Sequence, residues 1–127
     1  MPATYRAWPP WCQHRRQDGP RGRPGEASMI VIAGSVAARP ERREEAIRVA
    51  RTMAAATRAE AGCVTYRFSA DLDDPNTLLI FEEWESEEAL ARHFQSPHMA
   101  AFRQALPGLL AGVPALKRYG VASATAM

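Results

Sequence analysis

Two short segments of this chain are apolar on both faces that a strand presents. In one, Ile30 and Ile32 alternate with Met29, Val31 and Ala33; in the other, Leu78 and Ile80 alternate with Leu79 and Phe81. Successive strand side chains point to opposite sides of a sheet, so a sheet built on these segments must be covered twice. Helices of the same chain supply one cover. An open apolar face of this size is unusual on a soluble monomer, and a second copy packed sheet to sheet covers it most economically. The pattern therefore predicts a homodimer through the sheet face, with a barrel-like core between sheet and helices.

The remaining elements follow from periodicity. Met29–Ala38 reads as a strand rich in β-branched residues, ended by a turn at Pro40. From Glu41 to Ala61 the apolar residues fall at helical spacing, with Ile47, Ala50, Met53, Ala54 and Thr57 in one stripe and Gly62 as the stop. Cys63–Ala70 alternates, placing Val64, Tyr66 and Phe68 on one face. The turn cluster "DLDDPN" joins it to a strand at Thr77–Glu85. Ser86 is a helix N-cap followed by Glu87 and Glu88, and that helix runs to about Gln95. Ser96-Pro97 starts another, with Met99, Phe102, Leu106, Leu109 and Leu110 as its stripe and a kink or restart at Pro107. Ala115–Ala122 returns as the last strand. The order β-α-β-β-α-β makes residues 29–127 an α+β domain, a ferredoxin-like fold with a four-stranded antiparallel sheet.

Residues 1–28 differ in kind. They hold five of the ten prolines, five arginines against Asp18 and Glu26, and no apolar periodicity. That composition predicts a disordered tail, and Met29 is the expected natural start. The segment lacks the apolar core of a signal peptide. Charges elsewhere nearly balance, which gives no reason to expect a nucleic-acid partner. No apolar run reaches the roughly 18 residues of a membrane span. Two cysteines, Cys12 and Cys63, form neither a disulfide framework nor a metal motif, and a reducing, cytoplasmic setting is the simplest expectation.

The stretch "FEEWESEEALARHF" concentrates the chemistry. Glu82 and Trp84 lie two apart on one strand and share a face with Leu78 and Ile80. Leu90, His93 and Phe94 form a helical stripe that turns His93 inward. Trp84 is either a stacking platform or core packing. His93 is either a base, since it titrates near neutrality, or a structural partner of Glu82. A buried carboxylate needs a partner, and Arg118, His93 or a tyrosine can serve. Tyr66 and Tyr119, expected on neighbouring strands, either bind a substrate oxygen or belong to the core or interface. His98 is expected exposed at a helix start. It lies five residues from His93 with Pro97 between them, a poor spacing for joint metal ligation, so no metal site is expected. There is no dinucleotide fingerprint, P-loop, nucleophile elbow or zincin motif.

In this order, Glu60-Ala61-Gly62-Cys63-Val64-Thr65-Tyr66, Glu82-Glu83-Trp84 and His93-Phe94-Gln95-Ser96-Pro97-His98-Met99 resemble the antibiotic biosynthesis monooxygenase family. The resemblance runs from about Met29 to Ser123. It implies a dimeric α/β-barrel with a pocket between sheet and helices. It also implies a cofactor-independent monooxygenase that oxidises a quinol, anthrone or similar electron-rich aromatic substrate with O2. His93, Glu82 and Trp84 would then be catalytic, and Tyr66, Tyr119, Phe94 and Arg118 would bind substrate. The alternative is a dimer that binds or isomerises a small metabolite in the same pocket without oxygen. Haem degradation on this fold adds an asparagine on the first strand, whereas the one asparagine here, Asn76, falls in the hairpin turn.

Overall fold

A computed structural model describes residues 29–127; the expectation for the tail falls outside them. Seven main elements follow in chain order: β1 (Met29–Ala37), α1 (Arg43–Arg58), β2 (Cys63–Ala70), β3 (Thr77–Trp84), α2 (Glu87–Phe94), α3 (Pro97–Ala105) and β4 (Ala115–Val121). Short 3-10 turns at Pro40–Arg42 and Leu106–Gly108 lead into α1 and out of α3, so α3 stops at Ala105 and the chain restarts as a 3-10 turn through Pro107. The fold is the expected ferredoxin-like one: a single antiparallel sheet in the order β2-β3-β1-β4.

Helices cover one face. Ile30, Ile32, Tyr66, Ile80 and Trp84 from the strands pack with Met53 and Ala54 of α1 and with Ala89 and Leu90 of α2. Thr57, fully buried in α1, donates its hydroxyl to the Met53 carbonyl at 2.7 Å, which satisfies it locally. A second cluster, Ala38, Ala46, Leu78 and Leu109, closes the opposite end. On the other face Val31, Ala33, Leu79, Phe81 and Tyr119 are all at least partly exposed, Phe81 at 42% and Tyr119 at 47%.

Two expectations, one from alternation and one from topology, need correction. The β2–β3 register shifts between Cys63 and Thr65. This bulge absorbs Val64, which is half exposed, and puts Cys63 opposite Trp84 in the place expected for Val64. Tyr66 and Tyr119 are not on neighbouring strands either. β2 and β4 form opposite edges of the sheet, because both β1 and β3 lie between them.

Serines organise the helix pair. Ser86 Oγ accepts from Ala89 N–H at 3.2 Å and Ser96 Oγ from Met99 N–H at 3.2 Å, which caps α2 and α3. Ser96 Oγ also donates to the His93 carbonyl at 2.7 Å. One side chain thus closes α2 and opens α3. Gly62 has φ of 84°, a conformation that favours glycine, and a Cβ there would lie 2.4 Å from Ala89 Cβ. Loop and helix touch only because nothing intervenes.

Gly34 is tighter against backbone. Its Cβ would lie 2.0 Å from the Ala115 carbonyl oxygen and 2.8 Å from Leu116 Cα. Gly34→Ala should therefore force β4 away from β1 and destabilise the fold by about 1–3 kcal/mol, as overpacking typically does. Chemical denaturation reads this directly, and an unchanged midpoint would show that β4 yields freely.

Candidate active site

The candidate site is built at the end of β3, where alternation sends Glu82 and Trp84 into the helix-covered face. Trp84 is wholly buried, and its indole Nε1–H donates to Glu82 Oε2 at 2.8 Å. The i,i+2 geometry of a strand thus supplies the partner that the buried carboxyl requires. Burial is the largest influence on Glu82 and pushes its pKa up; the indole bond opposes the rise, and the charge of Glu60 adds to it.

α2 brings His93 onto this pair. Its ring centroid lies 4.7 Å from that of Trp84 and 5.6 Å from that of Tyr66, and the residue is 1% exposed. Its Nδ1 meets Glu60 Oε2 at 2.6 Å, and His98 Nε2 meets the same oxygen at 2.9 Å. A carboxylate oxygen only accepts, so both nitrogens donate. The neutral His93 ring then carries its lone pair on Nε2. Desolvation is the main influence on His93 and holds its pKa below the usual histidine value, against the raising effect of Glu60; His98 and Arg103 lower it further.

Tyr66 completes the cluster, paired with Glu82 across β2–β3. Burial, then the nearby Glu82, Cys63 and Glu60, drive its phenol well above the ordinary tyrosine range, so it stays protonated. The site is therefore dry: a neutral imidazole, a phenol and a carboxyl inclined to hold its proton surround one indole.

Glu82, Trp84, His93 and Tyr66 thus come together, and the others do not join them. Tyr119 pairs with Val31 on the opposite sheet face, because one residue's shift along a strand reverses its side. Arg118 is ion-paired with Glu87 at the start of α2 rather than with Glu82, since β4 is an edge strand beside that helix end. Phe94 is 37% exposed at the end of α2, its ring 5.9 Å from His93 and 5.9 Å from the Arg103 guanidinium. His93 is paired with Glu60, not with Glu82.

Glu60 and His98 are the residues that sequence reasoning passed over. Glu60 follows α1 in a turn whose backbone N–H groups, Glu60 to the Thr57 carbonyl and Cys63 to the Glu60 carbonyl, fold it back toward the sheet. His98 is partly buried rather than exposed. The Ser96-Pro97 restart was the signal: a helix that stops and restarts within two residues turns its new first turn back over the old last one.

Two cavities flank α1. One, of about 280 Å³, lies between α1 and the sheet and is lined by Ile47, Ala50, Arg51, Arg58, Phe68 and Leu78 among others. The second, of about 340 Å³, lies between α1 and α3 and includes Met53, His98 and Phe102. Glu82, Trp84 and His93 line neither. Tyr66 and Phe68, stacked edge to face at 5.6 Å, separate the first cavity from His93, while His98 stands in the wall of the second.

The family model described as "Antibiotic biosynthesis monooxygenase" matches residues 29–105. The chain belongs to that family. Two curated relatives accompany the match. An uncharacterized Synechocystis protein, sll1783, is 37% identical over 98 residues, covering 77% of this chain and 67% of its own. YcnE of Bacillus subtilis, provisionally named a monooxygenase, is 31% identical over 74 residues, 58% of this chain and 78% of its own. Among solved structures, Rv0793 of Mycobacterium tuberculosis superposes with a TM-score of 0.73 at 27% identity, over 78% of this chain and 100% of that one. Both the match and the superposition carry the ferredoxin-like family fold. The family match spans Glu60, Glu82, Trp84, His93 and His98 alike. No helix among the described residues is long and apolar enough to cross a membrane.

The burial of Glu82 has a measurable sign. A carboxyl whose pKa is raised by folding binds its proton more tightly in the native state, so stability falls as pH rises from the unfolded value through the raised one. Glu82→Gln keeps an oxygen for the indole and removes the charge. Its Tm should exceed that of the wild type near neutral pH, and the difference should vanish below about pH 4, where both chains are uncharged at this position. Thermal melts across pH read this; a variant less stable than the wild type at about pH 8 would rule out a desolvated carboxylate.

Proposed function

We propose that the protein is a cofactor-independent monooxygenase that oxidises an electron-rich aromatic, a quinol or anthrone, with O2. One observation carries the reading: His93, buried against Trp84, has its Nδ1 tied to Glu60, which leaves Nε2 as a proton acceptor in dry aromatic surroundings. Family membership supports it.

Ground-state O2 is a triplet and reacts slowly with closed-shell organic molecules. A substrate made electron-rich by deprotonation overcomes this, by passing one electron to O2 and then recombining with the reduced oxygen. His93 Nε2 takes the proton, and the Tyr66 hydroxyl donates to the developing oxyanion. Exclusion of water keeps the base neutral and strengthens that hydrogen bond. For an anthrone the balance is CH2 to C=O: one oxygen atom is bonded to the ring carbon, and the other leaves as water with two substrate hydrogens. The cavity between α1 and the sheet is the route of entry, with the Phe68 ring moving aside to open a path toward His93.

The active unit in this proposal is a homodimer through the exposed sheet face, where Val31, Ala33, Leu79, Phe81 and Tyr119 form the apolar surface that a second copy covers. On size-exclusion chromatography with light scattering, the wild type should run at twice the chain mass of 14.0 kDa, and Phe81→Glu should run as a monomer. A monomeric wild type would remove the dimer from the account.

The close packing of Trp84 and His93 supports a second reading, proton transfer on a bound metabolite without oxygen. Oxygen uptake with a reduced naphthoquinol, in the presence of a chelator, separates the two. The first predicts saturable uptake that His93→Gln reduces by about 10²–10⁴-fold, the usual contribution of a positioned base. Because desolvation depresses the His93 pKa, the acid limb of kcat/KM should lie below the ordinary histidine value of about 6.5. Uptake at the spontaneous rate in both proteins, together with anaerobic substrate proton exchange lost in His93→Gln, would replace the oxygenase reading with the second.

A further inference from the structure

We propose that Glu60, His93 and His98 form a binding site for a zinc-type divalent ion, an occupant that the oxygen chemistry above does not use. Three elements deliver one donor each: the turn after α1, the end of α2 and the first turn of α3. The donor atoms, a Glu60 carboxylate oxygen and one ring nitrogen of each histidine, lie within 4.8 Å of one another. Two imidazoles and a carboxylate are a donor set that zinc-type ions favour.

The geometry is close to what an ion requires. Donors about 2.0–2.1 Å from a tetrahedral ion stand roughly 3.3 Å apart. Here Glu60 Oε2 lies 2.6 Å from His93 Nδ1 and 2.9 Å from His98 Nε2, as hydrogen bonds require. Each histidine nitrogen must therefore move less than about 1 Å from the carboxylate oxygen, and the two ring nitrogens, within 4.8 Å of each other, must settle to the same spacing, while each imidazole moves its proton to its other nitrogen. His93 is anchored by the core, but His98 lies in the wall of the groove between α1 and α3, which gives an ion its path. Three protein donors leave a fourth position for water.

Occupancy has a consequence for the base. With an ion on Nδ1, the neutral His93 ring carries its proton on Nε2 and no longer accepts one. The ion and proton abstraction by His93 exclude one another. This consequence rests on the function proposed above, whereas binding itself does not.

The test is calorimetric titration of the full chain with Zn2+ after chelator treatment. Cys12 and His14 of the tail are also potential ligands, so the titration uses a Cys12→Ser, His14→Ala background. One ion per chain is expected, weakened at least about 10-fold by His98→Ala or Glu60→Gln. Co2+ as a second probe should develop visible absorption that His98→Ala abolishes. His98 is partly exposed, so its variant should keep the native circular dichroism spectrum. No ion uptake in the background protein, or equal uptake in the folded His98→Ala variant, would overturn the site. Uptake of Zn2+ that leaves naphthoquinol oxidation undiminished would overturn the exclusion while the site stands; failure of oxidation without any added metal would instead count against the oxygenase reading.

Discussion

One oxygen of Glu60 holds two histidines, and through them three helices. Glu60 stands just beyond α1, His93 near the end of α2 and His98 in the first turn of α3. Hydrogen bonds of 2.6 and 2.9 Å to a single atom tie these segments over the end of β3. Charge-assisted bonds of this kind are short and strong, and desolvation strengthens them further. The side-chain exposure of the group grades from 1% at His93 to 24% at His98. A proton or an ion therefore has one end of the cluster in the core and the other at a groove.

The neighbouring pair obeys the same rule with a different answer. Among the described residues no cation pairs with Glu82. Its partner is an indole N–H on its own strand, which satisfies one acceptor without neutralising a charge. Two carboxyl groups in one small volume thus have different partners. Glu60 is set among donors; Glu82 is set against indole, phenol and the field of Glu60. Burial with an indole as its only named partner pushes the Glu82 pKa up. Between the two carboxyl groups lies the His93 imidazole, walled by Trp84 and Tyr66.

The fold was legible because its signals are repetitive. The helical stripe of α1, the two caps at Ser86 and Ser96, and the doubly apolar strands each recur over several residues. Convergence of Glu82, Trp84 and His93 was legible for the same reason, since period 2 on β3 and the i,i+3 step on α2 both aim inward. Single-residue events were not. A bulge of one residue at Val64 exchanged its role with that of Cys63. Tyr119 went to the far face because β4 is registered against β1 with Arg118, not Tyr119, opposite Ile32. The Glu60 contact depends on a turn and a helix restart separated by more than thirty residues, and no local period encodes it. Whether the convergent residues line a space or fill one is a matter of volume, which periodicity does not carry. In the structure they fill it, and the open volumes lie beside them.

The central claim is that Glu60 fixes His93 in one tautomer, with the proton on Nδ1 and the lone pair on Nε2. Nitrogen-15 NMR of the histidine rings, assigned by comparison with His93→Gln, tests it most directly. The account predicts that at neutral pH the Nδ1 of His93 resonates as a protonated ring nitrogen and its Nε2 as an unprotonated one, and that Glu60→Gln alters this pattern. A proton on Nε2, or a charged ring at neutral pH, would contradict the account.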